Sequence, residues 1–341
     1  MTTIAVALAT SEDHFMAGHP ESPERFSGLE GILSGFSAAE ILRIPSTEAP
    51  TEDVRRVHDA SYLDRLEEWC RRGPEVIDPA PTYVTQGSGR AARQAAGGAL
   101  AVMQAVILGR AEAGMALVRP PGHHALPDRA MGFCLLNTVA ILARSAQARG
   151  FRKVMIVDFD VHHGNGTQAV FEADPEVLFI STHQEGIYPG SGKWTDRGKG
   201  NIVNVPLPAG AGDRAFQTIT KDLVEPLARR HEPDLVLVSA GFDAHWRDPL
   251  ANLQVTLDGY RSMALALTGL AQEVSQGRIV YVLEGGYDPE VVTGGVNALL
   301  SAITGRTPMA DPLGAAPTRE PDVENLISRI AGFHGLGVRE P

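Results

Sequence analysis

From about residue 110 onward, short continuous apolar runs alternate with longer stretches whose apolar positions recur every three to four residues. The runs at 114–118, 153–157, 177–182, 202–205, 234–239 and 278–283 predict strands. The stretches at 137–149, 213–230, 256–275 and 289–303 predict the helices between them, with a shorter helix near 167–171. Strands that are apolar on both faces and alternate with helices predict an α/β fold, a mostly parallel sheet covered on both sides.

Upstream the pattern is weaker. Residues 4–9 predict a first strand, 52–57 and 61–71 short amphipathic helices, and 88–108 a long, alanine-rich buried helix. The prolines of 72–86 predict a loop. The segment His19-Pro20-Glu21-Ser22-Pro23-Glu24-Arg25 reads as a loop turning into a helix, with Ser22 at the N-cap and Pro23 at the first helical position. Arg25 then reads as a surface charge. A division follows into a domain over 1–305 and a proline-rich tail over 306–341 with a last helix near 322–332.

Composition narrows the class. The 341 residues are 43% hydrophobic and 21% charged, with a net charge of −11. That balance argues against a general nucleic-acid binder. Two cysteines, Cys70 and Cys134, supply neither a disulfide framework nor a cysteine-rich zinc site, and read as small buried hydrophobes. No run approaches the ~18 continuous apolar residues of a membrane span. A reducing, cytoplasmic setting is the expectation.

The polar residues sit in unusual places. His123-His124, Asp158/Asp160/His162, His183, Asp243 and Tyr287 each follow a predicted strand, at the edge where open α/β sheets bind ligands. In 154–166, VMIVDFDVHHGNG, four ionisable groups close a buried strand, which is costly unless they are paired or hold a metal. In extended chain Asp158, Asp160 and His162 share one side. Asp160, His162 and Asp243 with water make a catalytic zinc arrangement, although these donors also suit Fe(II), Mn(II) or Co(II). One of His123 and His124 is then placed to act as general base. Tyr287, after Gly285-Gly286, is either a carbonyl-polarising hydroxyl or a half-buried core tyrosine.

The motifs RPPGHHA (119–125), GFCLLN (132–137), VDFDVHHGNG (157–166), IYPGSG (187–192), SAGFDAHWRDPL (239–250) and LEGGYD (283–288) together resemble the zinc-dependent histone deacetylase family, closest to its class II and bacterial amidohydrolase members. With HPESPER and VHDASYL the resemblance covers roughly residues 14–305. It implies the arginase/deacetylase fold, a single mostly parallel eight-stranded sheet, and hydrolysis of the acyl-amide of acetyl-lysine or a similar N-acyl amine. Matched residue by residue, it implies Asp160, His162 and Asp243 as Zn2+ ligands and His124 as proton shuttle beside His123. Asp158 and Asn165 match the partners of those histidines, and Tyr287 the carbonyl-polarising tyrosine. The family often has Asp at the position of Asn165, so His124 should be less strongly held as a cation. Gly132, Phe133 and Tyr188 match the walls of the acyl-lysine tunnel and Leu250 its rim, with Gly285 and Gly286 as further substrate-binding positions, and Arg25 matches the product exit.

The resemblance further implies K+ held by Asp158, Asp160, His162, Ser181 and Thr182, and a second monovalent site near Phe171, Asp174 and Val177. Two departures stand out. The substrate-clamping loop aspartate would fall near Ala80-Pro81, where the nearest carboxylate is Asp78. Polyamine-selective relatives place glutamate where this chain has Leu250, which favours acetyl-lysine over acetylpolyamine. Of two rivals, a dinuclear manganese ureohydrolase needs a carboxylate where Gly241 stands. A non-catalytic acyl-lysine-binding module would not need the catalytic positions that are present.

Overall fold

The structure, a computed structural model, describes residues 2–307 and 311–337. The sheet strands are β1 (Ile4–Ala9), β2 (Ile41–Ile44), β5 (Ala113–Val118), β6 (Val154–Asp158), β7 (Val177–Gln184), β8 (Ile202–Leu207), β9 (Leu235–Ala240) and β10 (Ile279–Leu283). A separate antiparallel ribbon joins β3 (Glu75–Val76) to β4 (Tyr83–Val84). The eight strands lie in the order β2-β1-β5-β10-β9-β6-β7-β8, and every pairing among them is parallel.

Alternate residues of each strand feed two cores, one on each face. Val6, Met115, Leu117, Met155 and Val157 pack with the helices Leu257–Val274 and Pro289–Thr304. Ala5, Ala7, Ala116, Val118 and Ile156 pack with Ser88–Ile107 and Thr138–Ala148. Because both faces are buried, the central strands show no polar alternation, which is why they read as continuous apolar runs.

The differences from expectation are local. The eighth strand, β2, has only four residues at the sheet edge and one of them is Arg43, too short a pattern to signal a strand. The ribbon β3–β4 lies in what reads as loop. Residues 213–230 contain a π-type turn, Thr220–Val224, between the helices Asp213–Ile219 and Glu225–His231. Ser22 does precede a helix, but this is the 3₁₀ turn Pro23–Phe26 and the Ser22 side chain makes no cap bond. Arg25 is 1% exposed, so it is no surface charge.

Two polar clamps hold the periphery. Glu320 accepts the N–H groups of Gly212, Arg214 and Ala215, capping Asp213–Ile219, and Ile327 and Ile330 of the last helix, Glu324–Phe333, are buried in the first core. Buried Asn201, just before β8, donates through its amide nitrogen to the carbonyls of Phe171 (2.8 Å), Asp174 (3.0 Å) and Val177 (2.8 Å). That contact ties the end of the helix Asn165–Phe171 to the start of β7.

Candidate active site

Five adjacent strands, β5-β10-β9-β6-β7, bring their C-terminal ends to one crevice. The loop after β5 carries His123 and His124, those after β6 and β9 carry Asp160, His162 and Asp243, and the loop after β10 carries Tyr287. Segments from Arg119 to Tyr287 meet because parallel strands all end on one edge.

The central stretch is not extended throughout. β6 stops at Asp158, and the chain beyond it bends on side-chain hooks: Asp158 Oδ1 accepts the N–H of Asp160 (3.1 Å), and Asp160 Oδ1 that of His162 (2.9 Å). Such Asx turns satisfy backbone donors that no strand partner reaches. Asp158 therefore separates from the ligand group and faces His123 instead. Asp160, His162 and Asp243 bring one ligand atom each within 4.8 Å of one another. His162 Nδ1 lies 3.1 Å from Asp160 Oδ1 and 3.3 Å from Asp243 Oδ2.

This trio fits a divalent cation. Asp243 Oδ2 is buried with no hydrogen-bond donor, while Asp243 Oδ1 accepts the Val161 N–H and Asp160 Oδ2 accepts that of Gly285. An oxygen–nitrogen–oxygen set with one orphaned carboxylate atom suits a metal better than an internal ion pair. Gly285 is required by space, since a Cβ there would stand 2.0 Å from Asp243 Oδ2.

The two histidines are held differently. His123 Nδ1 donates to Asp158 Oδ2 (2.9 Å), and its Nε2 lies 3.7 Å from Asp160 Oδ1. Burial alone would lower its pKa, but Asp160 and Asp158 outweigh burial and raise it well above the ordinary value. Burial, with His123 and His162 adding positive charge, pushes the neighbouring His124 well below it. Asn165 Oδ1 lies 2.8 Å from His124 Nδ1, and the Asn165 amide nitrogen faces Met131 S and the His124 carbonyl. His124 therefore carries its proton on Nδ1 and keeps Nε2 as a free base.

Glu284 is a residue that motif reading passed over. Its buried carboxylate accepts the N–H groups of Gly122 (2.6 Å) and His123 (3.1 Å) and the Ser239 hydroxyl, locking the histidine loop onto β9 and β10. Asp248 acts similarly: it accepts the N–H of Tyr287 (2.7 Å) and that of Leu250 (2.9 Å), joining the loops after β9 and β10. Their signal in the sequence was only their presence inside LEGGYD and DAHWRDPL.

The expected tunnel residues do gather. The Tyr188 ring stands edge-on to His124, with centroids 5.1 Å apart, and its buried hydroxyl lacks a hydrogen-bond partner. Phe133 stands edge-on to half-buried Tyr287 at 5.8 Å. Gly132 (φ 56°) and Phe133 (φ 68°) are both left-handed, and a Cβ on Gly132 would meet the His124 ring at 2.5 Å. Burial raises the Tyr287 pKa well above the ordinary phenol value, so the hydroxyl stays protonated. Leu250 is 39% exposed.

Asp78, the carboxylate nearest the expected clamp position, is half-buried and bonded to the tunnel wall. Its Oδ2 accepts the Gly132 N–H (3.0 Å) and the Thr82 hydroxyl (2.8 Å), and Thr82 Oγ1 accepts the Phe133 N–H. It braces the strained wall. Arg25 lies under the tyrosine loop: it donates to the carbonyls of Gly286 and Glu284, and its guanidinium is 4.9 Å from the Tyr287 ring centroid. Ser181 pairs in register with Asp158, and Ser181 and Thr182 are buried on β7. His183 donates to or accepts from Ser181, and Cys70 and Cys134 are free and buried.

The histone deacetylase domain model matches residues 19–303. Histone deacetylase 14, chloroplastic, of Arabidopsis thaliana is 40% identical over 97% of this chain and 84% of its own length. The histone deacetylase-like amidohydrolase of Pseudomonas aeruginosa is 40% identical over 87% of this chain and 80% of its own. Among solved structures, the HDA15 HD domain superposes with a TM-score of 0.86 at 34% identity, covering 98% of this chain and 95% of that one.

Proposed function

The chain belongs to the histone deacetylase family and has its arginase/deacetylase fold, and from that premise we propose that it hydrolyses the acyl-amide of acetyl-lysine side chains with Zn2+ held by Asp160, His162 and Asp243. It is a metal-dependent deacetylase/amidohydrolase. The observation that supports the finer reading is the meeting of this ligand trio with two histidines of opposite pKa shift.

When bound, the cation supplies Lewis acidity to the acyl carbonyl and to the attacking water. His124 Nε2 takes the proton from that water and later returns it to the leaving amine. His123, held by Asp158, disfavours a second positive charge on His124 and offers its own N–H toward the developing oxyanion. The protonated Tyr287 hydroxyl donates to the same oxygen. Gly132, Phe133 and Tyr188 line the approach for the lysine stem, Leu250 stands at the rim, and the Gly285-Gly286 turn presents Tyr287. Arg25 serves the acetate exit from beneath that turn. The K+ site extends this reading to Asp158, Asp160, His162, Ser181 and Thr182, and the support for it is the pairing of Asp158 with Ser181 in the β6–β7 register. We place the protein in the cytoplasm, a reducing setting that suits its two free cysteines. Among the described residues no helix is long and apolar enough to cross a membrane.

The ureohydrolase alternative lacks room. A Cβ on Gly241 would lie 2.2 Å from Asp160 Oδ2, so no second carboxylate enters there.

The test is acetate release from an acetyl-lysine peptide and from an acetylpolyamine, after chelation and return of one equivalent of Zn2+ or Fe2+. Metal-restored turnover of the peptide is the expected result. Turnover of the polyamine alone would overturn the substrate assignment, and folded, metal-loaded protein inert on both would overturn the reaction.

A further inference from the structure

The resemblance implies a second monovalent cation at Phe171, Asp174 and Val177, and here the residues present do not fit one. The three carbonyl oxygens converge on a single atom, the amide nitrogen of Asn201, at 2.8, 3.0 and 2.8 Å. A ring of backbone carbonyls is the usual cradle of a desolvated monovalent cation. In this chain the centre of the ring belongs to a side chain.

The orientation of that amide is fixed by its other end. Asn201 Oδ1 accepts the Lys199 N–H at 2.9 Å. Turned over, the amide would set its oxygen against three carbonyl oxygens and its NH2 against an N–H, leaving acceptors without protons and donors without acceptors. The nitrogen must therefore face the carbonyls. Asn201 is 5% exposed, and an unmade hydrogen bond at this depth is costly.

We infer that Asn201 replaces the second monovalent cation in this protein, its NH2 group satisfying the carbonyls that a cation would otherwise bind. The two amide protons divide among three acceptors and supply a partial positive charge in place of a full one. The clamp thereby holds the C-terminus of the helix Asn165–Phe171, whose first residue orients His124, without depending on the ionic composition of the solvent.

The inference is independent of the reaction assigned above, and its test reads ion positions rather than activity. Crystals of the full chain grown in RbCl would be examined for anomalous scattering. The expected map has no Rb+ peak among the Phe171, Asp174 and Val177 carbonyls, whatever it shows beside Asp158 and Ser181. A peak at those three carbonyls, with the Asn201 amide swung away, would overturn the inference. N201A opens the ring and N201D puts a carboxylate oxygen in it, so both should gain an Rb+ peak there. Both should also melt at a higher temperature in KCl than in choline chloride, by more than the parent protein does. Variants that fold, show no ion and have no added K+ response would also overturn it. Should neither variant fold, the parent map still decides.

Discussion

At the residue scale the site works by placing opposite demands on similar groups. Two adjacent imidazoles differ because one faces carboxylates and the other faces an amide and two more imidazoles. Asn165→Asp tests this directly. The groups facing His124 are His123, His162, Asp160 and Asn165, and a carboxylate at 165 would favour imidazolium. The His124 pKa should rise, so the acidic limb of the kcat/KM profile should move to higher pH by about 1 unit or more, measured on the peptide substrate. An unmoved limb would separate His124 from the base role. Tyr287→Phe removes a donor whose proton is secure at neutral pH, and kcat should fall about 10²-fold or more with the fold intact by circular dichroism. Near-normal turnover would leave Tyr287 as the core tyrosine that it equally resembles in sequence.

Among elements, the buried Glu21 is what holds the amino-terminal turn to the sheet. Arg119, just after β5, donates to both Glu21 oxygens at 2.8 Å, and Arg25 reaches Glu21 Oε1 at 3.2 Å before gripping the tyrosine loop. Burial alone would raise the Glu21 pKa, but His14 and Arg119 more than reverse it and hold the group far below 4.5. A carboxyl depressed on folding stabilises fully above its unfolded pKa, near 4.5, and loses that contribution as pH falls toward its folded value. Glu21→Gln leaves two buried guanidiniums without their anion and should cost about 3–5 kcal/mol at neutral pH, read from urea denaturation. The variant should also show a weaker loss of stability in acid than the parent. A cost under about 1 kcal/mol would mean that the carbonyls around Arg25 and Arg119 suffice. Because Arg25 joins Glu21 to Gly286, the HPESPER and LEGGYD motifs, far apart in the chain, form one support.

For the whole molecule, the sheet concentrates charge at one edge and leaves both faces apolar. Asp160 and Asp243 are fully buried together, and burial with the neighbouring Asp160 raises the Asp243 pKa. A bound divalent cation relieves that repulsion, so it should stabilise the entire fold. Stripping it with chelator should lower the melting temperature, and free metal at 100 times Kd should restore about 2.7 kcal/mol. His162→Ala should melt at the same temperature with and without chelator. Equal melting of the parent in both conditions would show that the trio holds no metal.

Much of this was legible in the chain, for a physical reason. Strands buried on both faces must be continuous apolar runs, and a buried cluster of Asp and His at their ends has few inexpensive explanations besides a metal. Tertiary structure decided what depends on partners distant in sequence. Nothing near Arg25 says that it is buried, because its anion lies four residues away but its other contacts lie beyond residue 280. Asp78 is the carboxylate nearest the clamp position in sequence, and only folding brings it against the Gly132 N–H. Asp158, Asp160 and His162 do not share the face of one extended strand, because the strand ends at Asp158 and side-chain hooks bend the chain beyond it. Asn201 stands before a strand like any turn residue, and only the convergence of three carbonyls on its nitrogen gives it a role. Apolar burial is a property of the run itself, whereas each of these polar roles is a property of a pair or ring that folding creates.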